Sequence, residues 1–355
     1  MNTLKGVRRI AVALTTAVAV IIPTLPAQAA GSDAGLYGAA DPAYDGVFRQ
    51  SLAIMGLAAN DMAPPKAAIS WLLDQQCADG SFEAYRADTG RPCGKPDPVN
   101  FTGPDTNSTA LALMALMSLD DSRVMNLKAP IMDDIVDAAD KAGQWLLKQQ
   151  NADGGWPYYA GSASDANSTG IALAGIMTQA PNTKVAPYRK ASRFLGTLAS
   201  SCAAGGGFAY QAGSKPDGSA TAQGTIGLTG GLPVSKQPAA TIAAPCKNTA
   251  KAKGVSYLAT ALAAKGVLDS SIGGADYTST SMAVLALATA RQGRTAIAKG
   301  IRTLKANAQS WATPSTGTSP GATGLLLMVA EVAGTKPTNF GGLNLVTTLN
   351  NSLRK

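Results

Sequence analysis

Two kinds of helical segment alternate along the chain, and their hydrophobic patterns distinguish them. In the first kind, apolar residues recur every three or four positions, as at Ile69, Leu72 and Leu73, with charged residues on the opposite face. In the second kind, such as 110–117, the residues are apolar almost all round, which is typical of a helix buried on every side. The pattern therefore predicts helical hairpins, each pairing an outer amphipathic helix with an inner buried helix.

The two kinds of helix recur as a repeated unit. The segment 66–82 returns as a close copy at 141–156, and the segment 105–113 returns at 165–173. Weaker copies of the unit follow, and they begin at Lys190, Lys253 and Lys299. Such self-similarity predicts a helical repeat architecture.

The two ends of the chain complete the count of hairpins. Residues 48–57 resemble an inner helix that lacks its outer partner, and residues 343–353 resemble an outer helix that lacks its inner partner. With the five full copies they make a sixth hairpin. We therefore expect an all-α fold in which an inner and an outer ring of helices close through the two termini, because closure hides the ends that an open solenoid must cap.

Polar residues mark where the helices begin and end. Asp-Gly at 79–80 and at 153–154 offers the turn and the left-handed position that end an outer helix. Asp105, Asp165 and Asp276 stand just before inner helices, where a side-chain oxygen caps free backbone N–H groups. Because these acids occupy equivalent positions of the repeat, we expect caps rather than a unique catalytic pair.

The segment 141–156 resembles the QW motif of the prenyltransferase and squalene oxidase repeat superfamily, which includes terpenoid cyclases and cobalamin carriers. The motif combines an aromatic residue, a glutamine and a glycine, and two copies here carry all three: Trp71, Gln76 and Gly80, and then Trp145, Gln150 and Gly154. The resemblance implies an α/α toroid of six inner and six outer helices. It also implies a structural role for the motif, in which the aromatic residue packs helix on helix, the glutamine reaches the next helix end and the glycine permits a tight turn.

The first thirty residues have the pattern of an export signal. A basic head that includes Arg8 and Arg9 is followed by an apolar run at 10–22 and by the small-residue pattern Ala27-Gln28-Ala29. The alternative, a membrane anchor, is disfavoured because the apolar run is short for a bilayer span. We expect residues 1–29 to be removed, residues 30–355 to form one toroid domain without a membrane anchor, and a bacterial cell to secrete the product.

Four cysteines in an exported chain predict two disulfides. Cys77 and Cys93 flank one loop, and Cys202 and Cys246 flank another, so neighbour pairing is favoured among the three possible connectivities. A cysteine-based metal site is the rival interpretation, but the chain has no CxxC pair and no histidine. We expect no metal and no cofactor.

The remaining chemistry of the superfamily is tested residue by residue. Without histidine, the zinc site of protein prenyltransferases and the usual hydrolytic triads are excluded. The Asp-x-Asp-Asp motif of alkene-protonating cyclases and the Cys-Gly-Glu-Gln thioester motif are also absent. Asp133, Asp134 and Asp137 match the Asp-Asp-x-x-Asp motif of ionising terpene synthases, but they begin an outer helix, where acids complement the helix dipole. A two-carboxylate glycosidase site remains possible.

Aromatic residues cluster in the loops that precede the inner helices. A concave end of the barrel with aromatic and polar residues would suit a bulky ligand or a glycan, although loop aromatics are more often plain packing. The candidate ligand-binding residues are Tyr85, Phe101, Trp156, Tyr158, Tyr159, Tyr210 and Tyr277.

These observations favour an exported, non-catalytic toroid that binds a small molecule, a glycan or a protein at one barrel face. The chain lacks the second, β-rich domain of cobalamin carriers, which argues against cobalamin as the ligand. The alternative is a divergent terpenoid cyclase or prenyltransferase-like enzyme, or a polysaccharide-active enzyme. Lysine and arginine are scattered along the sequence without a basic stripe and interleaved aromatics, so we expect no nucleic-acid partner.

Overall fold

The computed structural model describes residues 33–119, 131–232 and 240–355, and all of them fall in one compact unit, Ser32–Lys355. The predicted signal, residues 1–29, lies outside the described residues. Among those residues, no helix is both long enough and apolar enough to cross a membrane.

The described part of the chain forms two concentric sets of helices. The inner helices are α1 (Gly46–Ala59), α3 (Thr106–Ser118), α5 (Ala166–Gln179), α7 (Gly218–Thr229), α9 (Tyr277–Ala290) and α12 (Pro320–Val332). The outer helices are α2 (Lys66–Asp74), α4 (Ile131–Gln149), α6 (Ala186–Thr197), α8 (Ala250–Lys265), α10 (Arg294–Ala306) and α13 (Leu345–Asn350). A short helix, α11 (Ala308–Ala312), follows α10, and two small antiparallel pairs, β1 (Trp156–Pro157) with β2 (Ser164–Asp165) and β3 (Leu268–Asp269) with β4 (Ala275–Asp276), lie in the loops.

The inner helices close into a ring. Each inner helix packs against the next one along the chain, and α12 packs against α1. The termini seal the same joint, because the Gly35 N–H donates to the Arg354 carbonyl at 2.9 Å and the Arg354 N–H donates to the Leu36 carbonyl at 2.9 Å. The predicted six-hairpin α/α toroid, closed through the chain ends, is therefore confirmed.

The glutamine of the repeat connects neighbouring outer helices. The Gln76 side chain donates to the carbonyl of Gly80 at 3.1 Å and to that of Ala138, on α4, at 2.8 Å. Gln150 likewise donates to the carbonyls of Gly154 and of Pro187, on α6. One amide thus joins its own turn to the adjacent outer helix, and its loss would remove both hydrogen bonds.

The glycine of the repeat lies where no side chain fits. Gly80 has a φ of +93°, and a Cβ atom there would come within 2.6 Å of the Lys141 carbonyl. Gly154 repeats this arrangement against the Lys190 carbonyl. Both the backbone conformation and the close approach therefore require glycine.

The aromatic residues of the motif pack between the two rings. Trp71 and Trp145 are 2% and 6% exposed, and the Trp145 indole N–H donates to Asp79 at 3.1 Å. Burial of an indole of this size stabilises the contact between rings by several kcal/mol, on the order of 3–5.

The disulfides join the pairs predicted from the sequence. Cys77 is bonded to Cys93, within the loop between α2 and α3, and Cys202 is bonded to Cys246, ahead of α8. The first crosslink closes a loop without a helix, whereas the second encloses the inner helix α7.

Candidate binding site at the mouth of the toroid

The six inner helices begin at one end of the toroid, which we call the mouth. The loops that precede α3, α5 and α7 each rest on the start of the inner helix before them: the N–H groups of Val47, Thr106 and Ala166 donate to the carbonyls of Ala84, Tyr158 and Tyr210, each at 2.9 Å. The loops before the inner helices form what we call the collar of the mouth.

The predicted caps are present at the mouth. Asp105 and Asp165 accept the N–H groups of the serines three residues later at 2.7 Å, and Asp276 does the same at 2.8 Å. Asp217, ahead of α7, adds a fourth cap of this kind. The cap interpretation of these acids is therefore confirmed, because each carboxylate oxygen satisfies an N–H group that the helix cannot.

A threonine four residues after each of these caps ties the inner helix to the collar. The hydroxyls of Thr109, Thr169, Thr221 and Thr280 each accept a backbone N–H at 2.9 Å from the loop that precedes their helix. In α5 the Thr169 hydroxyl points away from the toroid axis, because it accepts the Trp156 N–H.

The geometry of α5 identifies which residues face the axis. Gly170 packs against α7 and Gly175 against α3, while Thr169 points to the outer ring. Successive residues of a helix are rotated by about 100°, so these three contacts account for the faces toward α7, α3 and the outer ring. The remaining face carries Asn167, which therefore points into the ring. The corresponding position of each inner helix lies two residues before the threonine or its equivalent.

These six positions form the mouth layer, and every one of them is partly exposed. The mouth layer consists of Phe48, Asn107, Asn167, Ser219, Thr278 and Gly321. One and two turns below it, almost all the axial residues are apolar and at most 2% exposed. They are Leu52, Leu111, Ile171, Met282 and Leu325, and then Met55, Met114, Ala174, Ile226, Leu285 and Met328. The axis is thus filled by side chains below a polar opening.

Several polar atoms at the mouth lack a hydrogen-bond partner within the described part of the chain. They are Oδ2 of Asp105, Oγ1 of Thr106, and Oδ1 of Asn107 and of Asn167. All four belong to the first turns of the adjacent helices α3 and α5. Because an unpaired buried polar group costs on the order of 1–3 kcal/mol, such a cluster marks a place where a ligand would improve the free energy.

Asp105 and Asp165 are each 1% exposed, whereas Asp217 and Asp276 are half-buried. Burial raises the pKa of the Asp105 carboxyl to about 6, although hydrogen bonds from Ser108 and from the Asn107 N–H oppose this shift. Burial also raises the pKa of Tyr159 to about 12, with a smaller contribution from the charges of Asp105, Asp97 and Glu83. Tyr158 has a raised pKa for the same first cause, and Asp105 adds to it. Nothing in the local sequence distinguishes Asp105 from the aspartates at equivalent positions.

Asp165 shows how the same position behaves when both oxygens are paired. Its Oδ1 accepts the Ser168 N–H and its Oδ2 accepts the Ser168 hydroxyl at 2.8 Å. Burial raises the pKa of Asp165 as well, against these hydrogen bonds.

The aromatic residues expected at the mouth fall into separate environments. Trp156 is fully buried and its indole N–H donates to the Leu146 carbonyl at 2.7 Å, so it packs in the core instead of lining a ligand site. Tyr159 is also buried, and its ring meets Tyr158 edge-on at a centroid distance of 4.7 Å. Tyr158 is half-buried, so part of this pair faces solvent beside Asp105.

The other predicted aromatics are spread around the collar. Tyr85 donates its hydroxyl to Asp33 and stacks on Trp71, while Tyr277 packs against Trp311 at 5.7 Å. Phe101 is 62% exposed on its loop, and Tyr210 is 42% exposed beside the start of α5. The structure does not gather these four side chains into one pocket.

Phe48 and the polar members of the mouth layer are the residues that sequence reasoning did not select. Aligning the inner helices on the Asp-x-x-x-Thr spacing would have found Asn107, Asn167 and Thr278, because each lies two residues after the aspartate. Phe48 follows from the same register, but α1 has glutamine at the threonine position, so the signal there is weaker.

Acidic groups outside the mouth have structural explanations. Asp133 and Asp134 are exposed in the first turn of α4, and Asp137 pairs with Lys141 at 2.6 Å, which supports the helix-dipole interpretation over a diphosphate site. Glu83 lies within 4.8 Å of both sulfur atoms of Cys77 and Cys93, but these sulfurs are joined in a disulfide and are not thiolate ligands.

A cleft of about 630 Å³ lies beside the mouth, between the β1–β2 loop and α6, and Asp153, Phe194 and Gln211 are among the residues that line it. Asp153 accepts the Gly155 N–H and the Ser164 hydroxyl, both at 2.9 Å. The carboxylate therefore already has partners, in contrast to the polar atoms of the mouth.

Solved structures share this arrangement of helices. A structure described as a wild-type glycosidase superposes with a TM-score of 0.50 over 87% of this chain and 94% of its own, at 14% identity. The likeness shows a common fold at a distance. It agrees with the α/α toroid that the helix contacts establish.

Terpene cyclases are also among the similar structures. The type II terpene cyclase MstE from Scytonema has a TM-score of 0.44 at 13% identity, over 80% of this chain and 76% of that one. The ent-copalyl diphosphate synthase from Streptomyces platensis has a TM-score of 0.46 at 17% identity, over 81% of this chain and 50% of that one. No protein-family model matches the sequence, and no curated protein is significantly similar to it.

Proposed function

We propose that this chain is an exported, non-catalytic toroid that binds a glycan at its mouth. The observation that carries the proposal is the contrast between a filled apolar axis and a polar mouth layer with unpaired amide oxygens. A bulky prenyl substrate needs a deep apolar cavity, whereas a saccharide needs hydrogen-bonding groups beside an aromatic ring.

The mouth layer supplies both kinds of contact. Phe48 presents a partly exposed ring, and Gly321, on the adjacent α12, has no side chain to cover it. Asn107 and Asn167 offer amides on the neighbouring helices α3 and α5. A sugar ring stacked on Phe48 would place its hydroxyls toward these amides. The Oδ1 atoms are covered by protein, so rotation of each amide toward the mouth would bring them into hydrogen-bonding reach of the sugar.

Export is part of the proposal and is supported by two features. The signal-like pattern of residues 1–29 predicts it, and two disulfides fit an oxidising compartment.

The proposal is tested with the protein purified from culture medium. Mass spectrometry should detect a retained saccharide, and a panel of oligosaccharides should show binding. Phe48→Ala, which removes a stacked ring, and the double variant Asn107→Ala/Asn167→Ala, which removes two hydrogen bonds, should each weaken that binding by about tenfold or more. Tyr44→Ala is the matched control, because Tyr44 is exposed and lies outside the mouth layer. Recovery of a cyclised product from a polyprenyl substrate would overturn the proposal.

Glycan hydrolysis is the second candidate function, and the buried Asp105 favours it. A carboxyl whose pKa lies near 6 can supply a proton at neutral pH, and Glu83 is a second acid in its vicinity. It ranks second because Asp105 also serves as the cap of α3 and is covered from solvent. In this case Asp105→Asn would abolish release of reducing sugar while glycan binding persisted.

A further inference from the structure

The acidic and basic residues of the chain are divided between its two halves. Residues 33–170 contain 18 Asp and Glu against 9 Lys and Arg, whereas residues 171–355 contain 4 Asp and Glu against 18 Lys and Arg. Along the sequence the basic residues look scattered, because loops and apolar inner helices separate them. A closed ring of hairpins turns this division into a division of the surface.

Three consecutive outer helices of the basic half lie side by side. Helix α6 packs against α8, and α8 packs against α10. Together these helices carry ten Lys and Arg residues and no acidic residue. We call their outward face the basic wall. By contrast α4, in the acidic half, carries four aspartates.

Part of the basic wall is occupied by internal contacts. Lys265 pairs with Asp269, the Lys299 ammonium donates to the carbonyl of Ala263 on α8, and the Arg294 guanidinium donates to the Ala240 carbonyl. Lys305 donates to Thr335. These side chains secure neighbouring segments.

The remaining cations have no acidic partner in the described ranges. They are Arg189, Lys190, Arg193, Lys251 and Lys253, and Arg302. Arg189 and Arg193 are four residues apart and so lie on one exposed face of α6. On α10 the buried stripe is Ala296, Gly300 and Leu304, so Arg302 points to the opposite side.

The composition of the basic wall restricts its partner. None of the large, exposed hydrophobic side chains of the described chain lies on α6, α8 or α10, so the wall lacks the apolar anchors of a protein interface or of a membrane-inserting surface. The tyrosines of these helices are only partly exposed, and the Tyr188 hydroxyl donates to the Leu228 carbonyl. The stacking rings expected of a single-stranded nucleic-acid site are therefore missing from the wall.

We propose that the basic wall binds an acidic polysaccharide, a linear chain that carries carboxylates at regular intervals. Adjacent helices lie roughly 8–10 Å apart, so α6, α8 and α10 offer cations over a span of about 20 Å, which a polymer can cross but a single small anion cannot. Multiple weak charge contacts across this span add up in the polymer. The proposal stands apart from the saccharide site at the mouth, which uses different residues.

The test measures binding of fluorescently labelled oligogalacturonate to the full chain, with a neutral dextran oligomer as the ligand control. The triple variant Arg189→Gln/Arg193→Gln/Arg302→Gln removes three wall charges. The matched variant Lys66→Gln/Lys95→Gln/Lys148→Gln removes three exposed charges from the acidic half. Far-ultraviolet circular dichroism and a thermal melt check that both variants fold.

We expect the wall variant to bind oligogalacturonate at least about tenfold more weakly and the matched variant to change affinity less than about twofold, since each lost contact lowers the electrostatic contribution. Raising the salt from about 50 to 200 mM should weaken wild-type binding about tenfold or more. The Phe48→Ala variant should retain full affinity, which separates the wall from the mouth.

Four results would overturn the proposal. The first is equal loss of affinity in the wall and matched variants, and the second is binding of neutral dextran as tight as that of oligogalacturonate. The third is tighter binding of a DNA duplex of equal charge, which would assign the wall to nucleic acid. Absence of any oligogalacturonate binding at low salt would also refute it.

Discussion

Replacing Asp105 by asparagine should change the pH dependence of folding. Asparagine is nearly isosteric with aspartate and caps helices equally well, so the bond from the Ser108 N–H is kept while the charge is removed. The burial of Asp105 raises the pKa of its carboxyl from 3.8 to about 6 in the folded state. The perturbation therefore isolates the cost of keeping a buried carboxylate charged.

The sign and size of the effect follow from this pKa difference. Because the folded-state pKa lies above the unfolded value, the native state holds the proton more tightly, and the protein loses stability as pH rises from about 4 to about 6. At 1.36 kcal/mol per pKa unit the full cost is about 3 kcal/mol, absent below the unfolded pKa and complete above the folded pKa. Between pH 4 and pH 8, Asp105→Asn should therefore gain about 2–3 kcal/mol relative to the wild type.

The assay is urea unfolding followed by tryptophan fluorescence, with both disulfides intact, at half-unit steps from pH 4 to pH 8. Any constant cost of burying the amide shifts the variant equally at every pH, so the slope of the difference is the quantity to compare. Asp165→Asn is the control and should show a smaller slope, because Ser168 donates to both oxygens of Asp165. A flat difference for Asp105→Asn, or stability that falls with rising pH more steeply in the variant, would refute the reasoning.

Three further changes test the interpretation of the fold. Gly154→Ala should lower the free energy of unfolding by about 2 kcal/mol or more, because it adds strain at positive φ and a clash with the next outer helix. Gly161→Ala has open space around it at a φ of +82° and should cost only the strain, about 1 kcal/mol, so equal losses in chemical denaturation would contradict the packing argument. Thr169→Val removes the acceptor of a buried backbone N–H and should cost about 1–3 kcal/mol, with Thr169→Ser recovering most of it. Replacing both Cys202 and Cys246 by serine should lower the free energy of unfolding by about 4 kcal/mol, because their disulfide closes a loop of 44 residues. A melting temperature unchanged in this variant would argue against that contribution.

The mouth combines groups that are costly for folding. Asp105 is charged and covered at neutral pH, and the amide oxygens of Asn107 and Asn167 lack partners. Such local costs persist where function requires them, so apolar substitutions of Asn107 and Asn167 should raise stability and lower glycan binding together. This coupling gives the binding experiment at the mouth a counterpart in stability.

The sequence by itself determined the two helix types and the order of the six hairpins, although not the short helix α11. The alternation of amphipathic and uniformly apolar segments depends only on neighbours along the chain, so it could be interpreted without a structure. Closure through the termini followed from counting, and the pairing of Cys77 with Cys93 followed from proximity in sequence. The aspartate caps were predicted for the same reason, since a cap and its helix are adjacent.

Only the tertiary structure decided which residues carry the candidate function. Trp156 and Tyr210 both lie in mouth loops, yet one is fully buried and the other is 42% exposed. Asp105 and Asp165 occupy equivalent positions and are equally covered, but the Ser168 hydroxyl pairs the second oxygen of Asp165, whereas that of Asp105 has no partner in the described part of the chain. The basic wall likewise arises from three helices that are far apart in sequence. Burial and charge density depend on what surrounds a residue in space, and the sequence near that residue does not show which distant segments surround it.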